Sequence, residues 1–236
     1  FSARGGSESV SYYLATGYTS QEGILYGEDK SFFDRFNFTT NVDVDLTDKL
    51  TARVYNTYSN EKGSGLGDVL FNALNMSPTT PVYDANGNFG ISNTITQEVK
   101  NPLAQISNSY NESNVNKITG KVELEYDVFK DFSITGRLGY NYVDIKDKSF
   151  SPLVYYGAGH NQTNALPDGS PIVSVDPATG ESTQTHNRVN EGSVEYFRYN
   201  FEVLGNYSFS VDNEHNFSVF AGFSMTKNTG QGLYGS

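Results

Sequence analysis

Metal or acid–base chemistry would first be sought at the three histidines, His160, His186 and His215, and their spacing supports neither. None has a second imidazole or carboxylate at a metal-ligand interval. None stands near a serine in a nucleophile-elbow context. The chain has no cysteine, which removes thiolate ligands, disulfides and cysteine nucleophiles together. Gly63-Ser64-Gly65-Leu66-Gly67, ahead of a short apolar run Val69–Leu74, imitates a phosphate-cradling turn. Its glycines have the wrong interval and no parallel βαβ unit surrounds them, so it reads as a loop opening. Asp84-Ala85-Asn86-Gly87-Asn88 starts like a calcium loop, but the twelfth position is Ile95 where a bidentate Glu is required. Asn-Gly there reads as a hairpin turn, and Asp176-Pro177-Ala178-Thr179-Gly180 reads the same way. Paired carboxylates for glycoside cleavage are a spatial arrangement that spacing cannot reveal. The expectation is a chain with no catalytic residues, no metal and no cofactor.

What remains is a set of loop side chains suited to recognition: Tyr83 and Tyr110 in one long polar stretch, and Tyr155, Tyr156, His160 and Asn161 in another. Flat rings beside amides and an imidazole can stack on, and hydrogen-bond to, a sugar or a peptide. The same residues serve equally well to pack loops on one another.

The elements that must position these loops follow from composition and periodicity. Of 236 residues, 17 are Tyr, 16 Phe and 23 Gly, with no Trp and only 18% charged. That mix suits pleated strands and turns better than helices. The net charge of −11 leaves no basic stripe for nucleic acid. No run of about 18 apolar residues exists, so no helix crosses a bilayer. The mean hydropathy of −0.49 is still compatible with membrane strands, which are apolar on one face only.

Alternation with a period of two recurs along the chain. In 35–45, Phe36, Phe38, Thr40, Val42 and Val44 oppose Arg35, Asn37, Asn41, Asp43 and Asp45. Segments 117–128, 132–142, 195–209 and 216–227 repeat the pattern, and 8–19 and 50–60 do so more weakly. This predicts about seven strands, most of roughly ten residues, the length a tilted membrane-spanning strand needs. Thr47-Asp48-Lys49, Phe129-Lys130-Asp131 and Asp212-Asn213-Glu214 are short turns, while 20–34, 61–114 and 148–190 are long connections. Short turns at one end and long loops at the other is the layout of an outer-membrane barrel, with turns in the periplasm and loops outside. Tyr126 and Phe132, then Tyr207, Phe209 and Phe217, flank two of the short turns; Tyr140, Tyr142, Phe197 and Tyr199 lie at the far strand ends. These are the expected positions of two aromatic girdles. Arg or Lys facing lipid at mid-membrane costs about 2–4 kcal/mol. Lys121, Glu123, Arg137, Arg198 and Glu202 are therefore expected on the wet inner face, paired across strands.

Several stretches resemble the SusC-like TonB-dependent transporters. They are Gly5-Gly6-Ser7 leading to Tyr12-Tyr13-Leu14-Ala15-Thr16-Gly17-Tyr18, Gln21-Glu22-Gly23, Arg35-Phe36-Asn37, Asn41-Val42-Asp43 and Leu50. In the first long loop Pro78, Pro81, Tyr83, Gly87 and Asn101-Pro102-Leu103-Ala104 continue the likeness, which covers about residues 1–140. The resemblance implies a 22-stranded barrel with an N-terminal plug, importing glycans or peptides with energy from the TonB complex, beside a SusD-like surface lipoprotein. Residues 1–236 then read as one portion of that barrel domain, lacking the plug and the remaining strands. An isolated set of seven strands would leave unpaired edges in lipid at several kcal/mol per group. A secreted or surface-exposed β-rich module binding glycans or adhesion partners is the other reading open to this pattern.

Overall fold

The computed structural model describes residues 1–24, 26, 30–66, 69–91, 99–108, 110–158, 160, 162–212 and 214–236. Gly67, Ile95, Asn161 and Asn213, each named above, lie outside them.

The chain is an all-β antiparallel sheet with two short helices. β1 (Ser2–Gly6), β2 (Val10–Glu22), β3 (Phe32–Thr47), β4 (Leu50–Ser64), β5 (Tyr110–Phe129), β6 (Phe132–Ser151), β9 (Arg188–Val211) and β10 (His215–Gly235) form one sheet in sequence order. β7 (Val173–Val175) and β8 (Ser182–Gln184) make a small hairpin inside the last long loop. α1 (Val69–Asn75) and α2 (Pro102–Asn108) sit in the loop between β4 and β5.

The sheet is open, with β1 and β10 at its edges, and does not close on itself. Strand number and strand length differ from expectation. The described residues hold eight strands in the large sheet and two in the hairpin, against about seven expected. β1 has only five residues and the hairpin strands three each, too short for alternation to register. Strands β2 to β6, β9 and β10 run to 13–24 residues, where roughly ten were expected. The ladder of backbone hydrogen bonds continues past the apolar stretch, because a polar residue pairs its backbone as well as an apolar one does.

The short turns close β3–β4 at Asp48-Lys49 and β5–β6 at Lys130-Asp131. At the third, between β9 and β10, Asp212 takes a left-handed backbone (φ 54°), which Asp tolerates better than most residues.

No second sheet is layered on the large one among the described residues. Phe36, Phe201 and Phe223, all on one face, are exposed rather than sandwiched. The buried apolar side chains, Val69, Val99, Ala104, Ile106 and Ala165, all lie in the loops. The sheet thus has the opposite of a water-soluble core: its apolar face is bare.

The register gives that face a slope. Met225 lines up through Phe201, Leu138, Val122, Val54 and Val42 with Tyr12. On β10 that rung is the top of the apolar set, Phe217 to Met225; on β2 it is near the bottom of Tyr12 to Tyr18. Across six strand steps the apolar band therefore descends by about one residue per step. With about 3.3 Å per residue and about 4.8 Å between strands, a level band requires strands tilted by about 35°. Membrane barrels tilt their strands by roughly 35–45°.

Candidate functional site: a tilted barrel wall with a polar cavity at its loop end

The two faces of the sheet carry different chemistry. The bare face is bounded by aromatics, as expected. Near the short turns Tyr207 stacks on Phe209 at 5.5 Å and Phe209 on Phe217 at 5.3 Å, while Phe197 meets Tyr199 at 6.1 Å toward the other end. Between the aromatic borders an amide, Asn56 on β4, interrupts this face. The Tyr140 hydroxyl on β6 reaches across β5 and donates to Asn56 Oδ1, and Gly120 leaves the gap through which it passes.

The other face is mostly polar. Arg53, Glu123, Arg137 and Glu202 stand directly opposite one another on β4, β5, β6 and β9. Glu123, only 6% exposed, accepts from Arg53 at 2.8 Å and from Arg137 at 2.7 Å. Arg53 also donates to Glu125 at 2.6 Å, and Arg137 to Glu202 at 2.9 Å. Lys121 lies 3.4 Å from Glu123 and over the Tyr55 ring. The expected pairing of Lys121, Glu123, Arg137 and Glu202 is thus present as one alternating ladder. Arg198 is on the same face but exposed.

At the loop end the strands hold a cavity of about 470 Å³ between the two long loops. Tyr110, Asn111, Lys100, Gln105, Tyr156 and Gln162 are among the residues lining it. Asn101 builds one wall: its Oδ1 caps α2 by accepting from the Leu103 and Ala104 amides, and its Nδ2 donates to Val82 and Gly90. α2 then presents Gln105, whose Oε1 accepts from Asn72 of α1 at 2.6 Å. Asn164 ties the other wall, bonding Val154 and Pro152.

Of the loop residues picked from sequence, Tyr110 and Tyr156 meet at this cavity. Tyr156 is half-buried under Lys100, whose Nζ is 5.2 Å from the ring centroid. Burial pushes the Tyr156 hydroxyl above its ordinary pKa, so it stays a neutral donor throughout the neutral range. His160 is only 7% exposed: it sits 5.5 Å from the Tyr156 ring, and its Nδ1 accepts from the Gln162 amide at 3.1 Å. Tyr83 stacks on Phe89 in its own hairpin and does not line the cavity; nor does Tyr155. Lys100, Gln105, Asn111 and Gln162 were missed. Asn101-Pro102 marked the start of α2 and could have pointed to Gln105.

The Asp84 turn needs no cation to explain it. Asp84 Oδ1 accepts from the Asn88 and Asn86 amides, at 2.9 and 2.8 Å, and Gly87 supplies the left-handed φ of 83°. The backbone bond from Asn88, the larger effect, and that from Asn86 hold the carboxyl below its usual range. A depressed carboxyl stabilises the turn above the unfolded pKa of about 3.9 and loses that stabilisation as pH falls through the folded value. The Asn86 and Asn88 amides should therefore be protected from hydrogen exchange at pH 6, and Asp84→Ala should abolish that protection. Equal exchange in both proteins would show the turn to be held by other contacts.

A one-sided, tilted, antiparallel sheet with aromatic borders and long loops at one end defines the wall of an outer-membrane type of barrel. No family model matches the chain. Three curated relatives from Formosa agariphila do. TonB-dependent receptor P3 is 26% identical over 235 residues, covering 92% of this chain and 21% of its own length. Receptor P26 is 30% identical over 168 residues, 68% of this chain and 16% of its own. Receptor P39 is 24% identical over 225 residues, 94% and 19%. Among solved structures, the RagAB peptide importer in its closed-closed state matches with a TM-score of 0.69 at 16% identity, over 99% of this chain and 25% of that one. Its open-open state matches at 0.68 over 99% and 24%. The chain is a segment of the SusC-like TonB-dependent transporters, and it spans about a fifth of the length of the curated relatives it matches.

Proposed function

We propose that these residues are one sector of a 22-stranded barrel domain in the outer membrane of a Gram-negative bacterium, in a non-enzymatic protein that imports oligosaccharides or peptides. The sloping apolar band carries this reading: a constant drift in register, bounded by aromatics, is what a closed, tilted barrel in lipid requires. Unpaired edges at β1 and β10 fit a sheet continued by further strands. On this reading the short turns face the periplasm, the long loops face outward, and a plug, the TonB complex and a SusD-like lipoprotein complete the transporter. The likeness to TonB-dependent receptors and to the RagAB peptide importer supports import.

The cavity at Tyr110 and Tyr156 is the proposed contact for substrate, with Tyr83, Tyr155, His160 and Asn161 lying in the same loops. Full-length protein, extracted in detergent, should bind a neutral oligosaccharide or a short peptide by calorimetry. Losing one stacked ring costs about 1 kcal/mol, so Tyr110→Ala and Tyr156→Ala should each weaken binding by about five-fold or more. Unchanged affinity in both variants would move the site elsewhere. Recovery of the full-length protein in the aqueous fraction without detergent would overturn the barrel itself.

A further inference from the structure

Among the described residues, Gly87, Gly157, Gly169 and Gly180 take a positive φ, between 73° and 132°, that L side chains rarely adopt. At Gly87, Gly169 and Gly180 an added Cβ would meet nothing within 4 Å, as in an open turn. Gly157 differs on two counts. It is buried, and a Cβ there would stand 2.7 Å from Ile91 Cγ2. Gly157 belongs to the loop between β6 and β9, and Ile91 to the loop between β4 and β5. Cγ2 is bonded directly to a stiff, branched Cβ, so it has little freedom to swing aside. The two long loops thus touch where a glycine alone leaves room.

Both sides of this contact are tied to the cavity. On the first loop, Asn101 Nδ2 donates at 3.0 Å to the carbonyl of Gly90, the neighbour of Ile91. Asn101 Oδ1 caps α2, which carries Gln105 into the cavity wall. On the second loop, the Gly157 carbonyl accepts from the His160 amide at 3.2 Å and from the Thr163 hydroxyl at 3.1 Å. That hydroxyl oxygen in turn accepts from the Tyr156 amide at 2.9 Å. Lys100, next to Asn101, lies over the Tyr156 ring and makes a second contact between the loops.

We infer that Gly157 is a positioning residue of the cavity: the joint at which the first long loop closes on the second and sets Tyr156 into the wall opposite Gln105. Gly157 does not line the cavity and acts through Tyr156. Its role in binding rests on the cavity being the substrate contact; the joint itself does not. Walls fixed in advance favour binding because less freedom is lost when the ligand arrives. A side chain at residue 157 would both strain the backbone and push Ile91 away, so the two walls would part.

The first test needs no ligand. Hydrogen exchange and nitration of Tyr156 by tetranitromethane are followed in full-length protein in detergent. Gly157→Ala alters the joint from one loop; Ile91→Ala removes Cγ2 from the other with no backbone strain. Ile91→Ala should speed exchange at the Tyr156 and Thr163 amides, in the loop it does not belong to, by at least about five-fold. Gly157→Ala should do the same at Gly90, whose amide donates to Val82, and at Gln105, whose amide donates to Asn101. Both should quicken nitration of Tyr156. If each substitution changes exchange only in its own loop, the loops are not joined there and the inference fails. The second test is calorimetry with maltohexaose and hexa-alanine. For whichever of them the parent protein binds, Gly157→Ala should weaken affinity by about ten-fold, and should add nothing in a Tyr156→Ala background. Additive losses would overturn the positioning role. If Tyr110→Ala and Tyr156→Ala bind as well as the parent, the cavity reading fails, while the exchange result still decides the joint.

Discussion

Replacing Glu123 by Ala should cost the full-length barrel about 3 kcal/mol of stability. The carboxylate holds two guanidiniums, Arg53 and Arg137, at 2.8 and 2.7 Å, with Lys121 close by. Removing it leaves three cations on neighbouring strands with one fewer anion. Breaking a buried pair from one side costs roughly 3–5 kcal/mol, because the partner's desolvation is no longer compensated. The lower figure applies because Arg53 and Arg137 keep about a third of their side-chain surface accessible to water. Glu123→Gln, which keeps the shape, should recover only part of the loss. A double-mutant cycle with Arg137→Ala should show coupling of at least about 1 kcal/mol. The measurement is the unfolding midpoint of detergent-solubilised protein in urea. Additive effects, or a total loss below about 1 kcal/mol, would mean that water already solvates these charges well.

The second large effect is expected at Gly120. A Val there meets Asn56 and the Tyr140 ring, so the Tyr140–Asn56 hydrogen bond cannot survive. Overpacking costs about 1–3 kcal/mol, and an amide left unpaired in hydrocarbon adds about 1–3 kcal/mol. Gly120→Val should therefore destabilise the barrel by about 2–6 kcal/mol, while Tyr140→Phe isolates the hydrogen-bond part and should cost about 1–3 kcal/mol. Asn56→Leu together with Tyr140→Phe should restore most of the stability, since replacing both partners removes the unpaired group. If Tyr140→Phe is neutral by itself, Asn56 has found water at the interface and the bridge is incidental.

Much of the sheet was legible because facing is a local property. Five of the eight strands of the large sheet show their alternation plainly and β2 and β4 show it more weakly, and the lipid and inner sets could be assigned residue by residue. β1 and the β7–β8 hairpin escaped because five or three residues carry too little periodicity. Strand length was underread because pairing continues where alternation stops being apolar against polar. The loop site was read only in part. Tyr110 and Tyr156 were chosen for their chemistry. That they share one cavity depends on Asn101, Asn72 and Asn164 folding two loops that lie far apart in the chain. His160 was expected to be exposed because it lies in a loop; its burial beside Tyr156 is a packing outcome.

What the order of residues determined alone is the two-faced ribbon: a period of two sends Phe201 and Arg198 to opposite sides whatever the partner strand. Which charges meet, which strand Tyr140 reaches, and how far the apolar band descends from β2 to β10 were decided only by register between strands. Register is set by many weak non-local pairings acting together. A slip of one residue would send Glu123 into the lipid while leaving its neighbours in sequence unchanged.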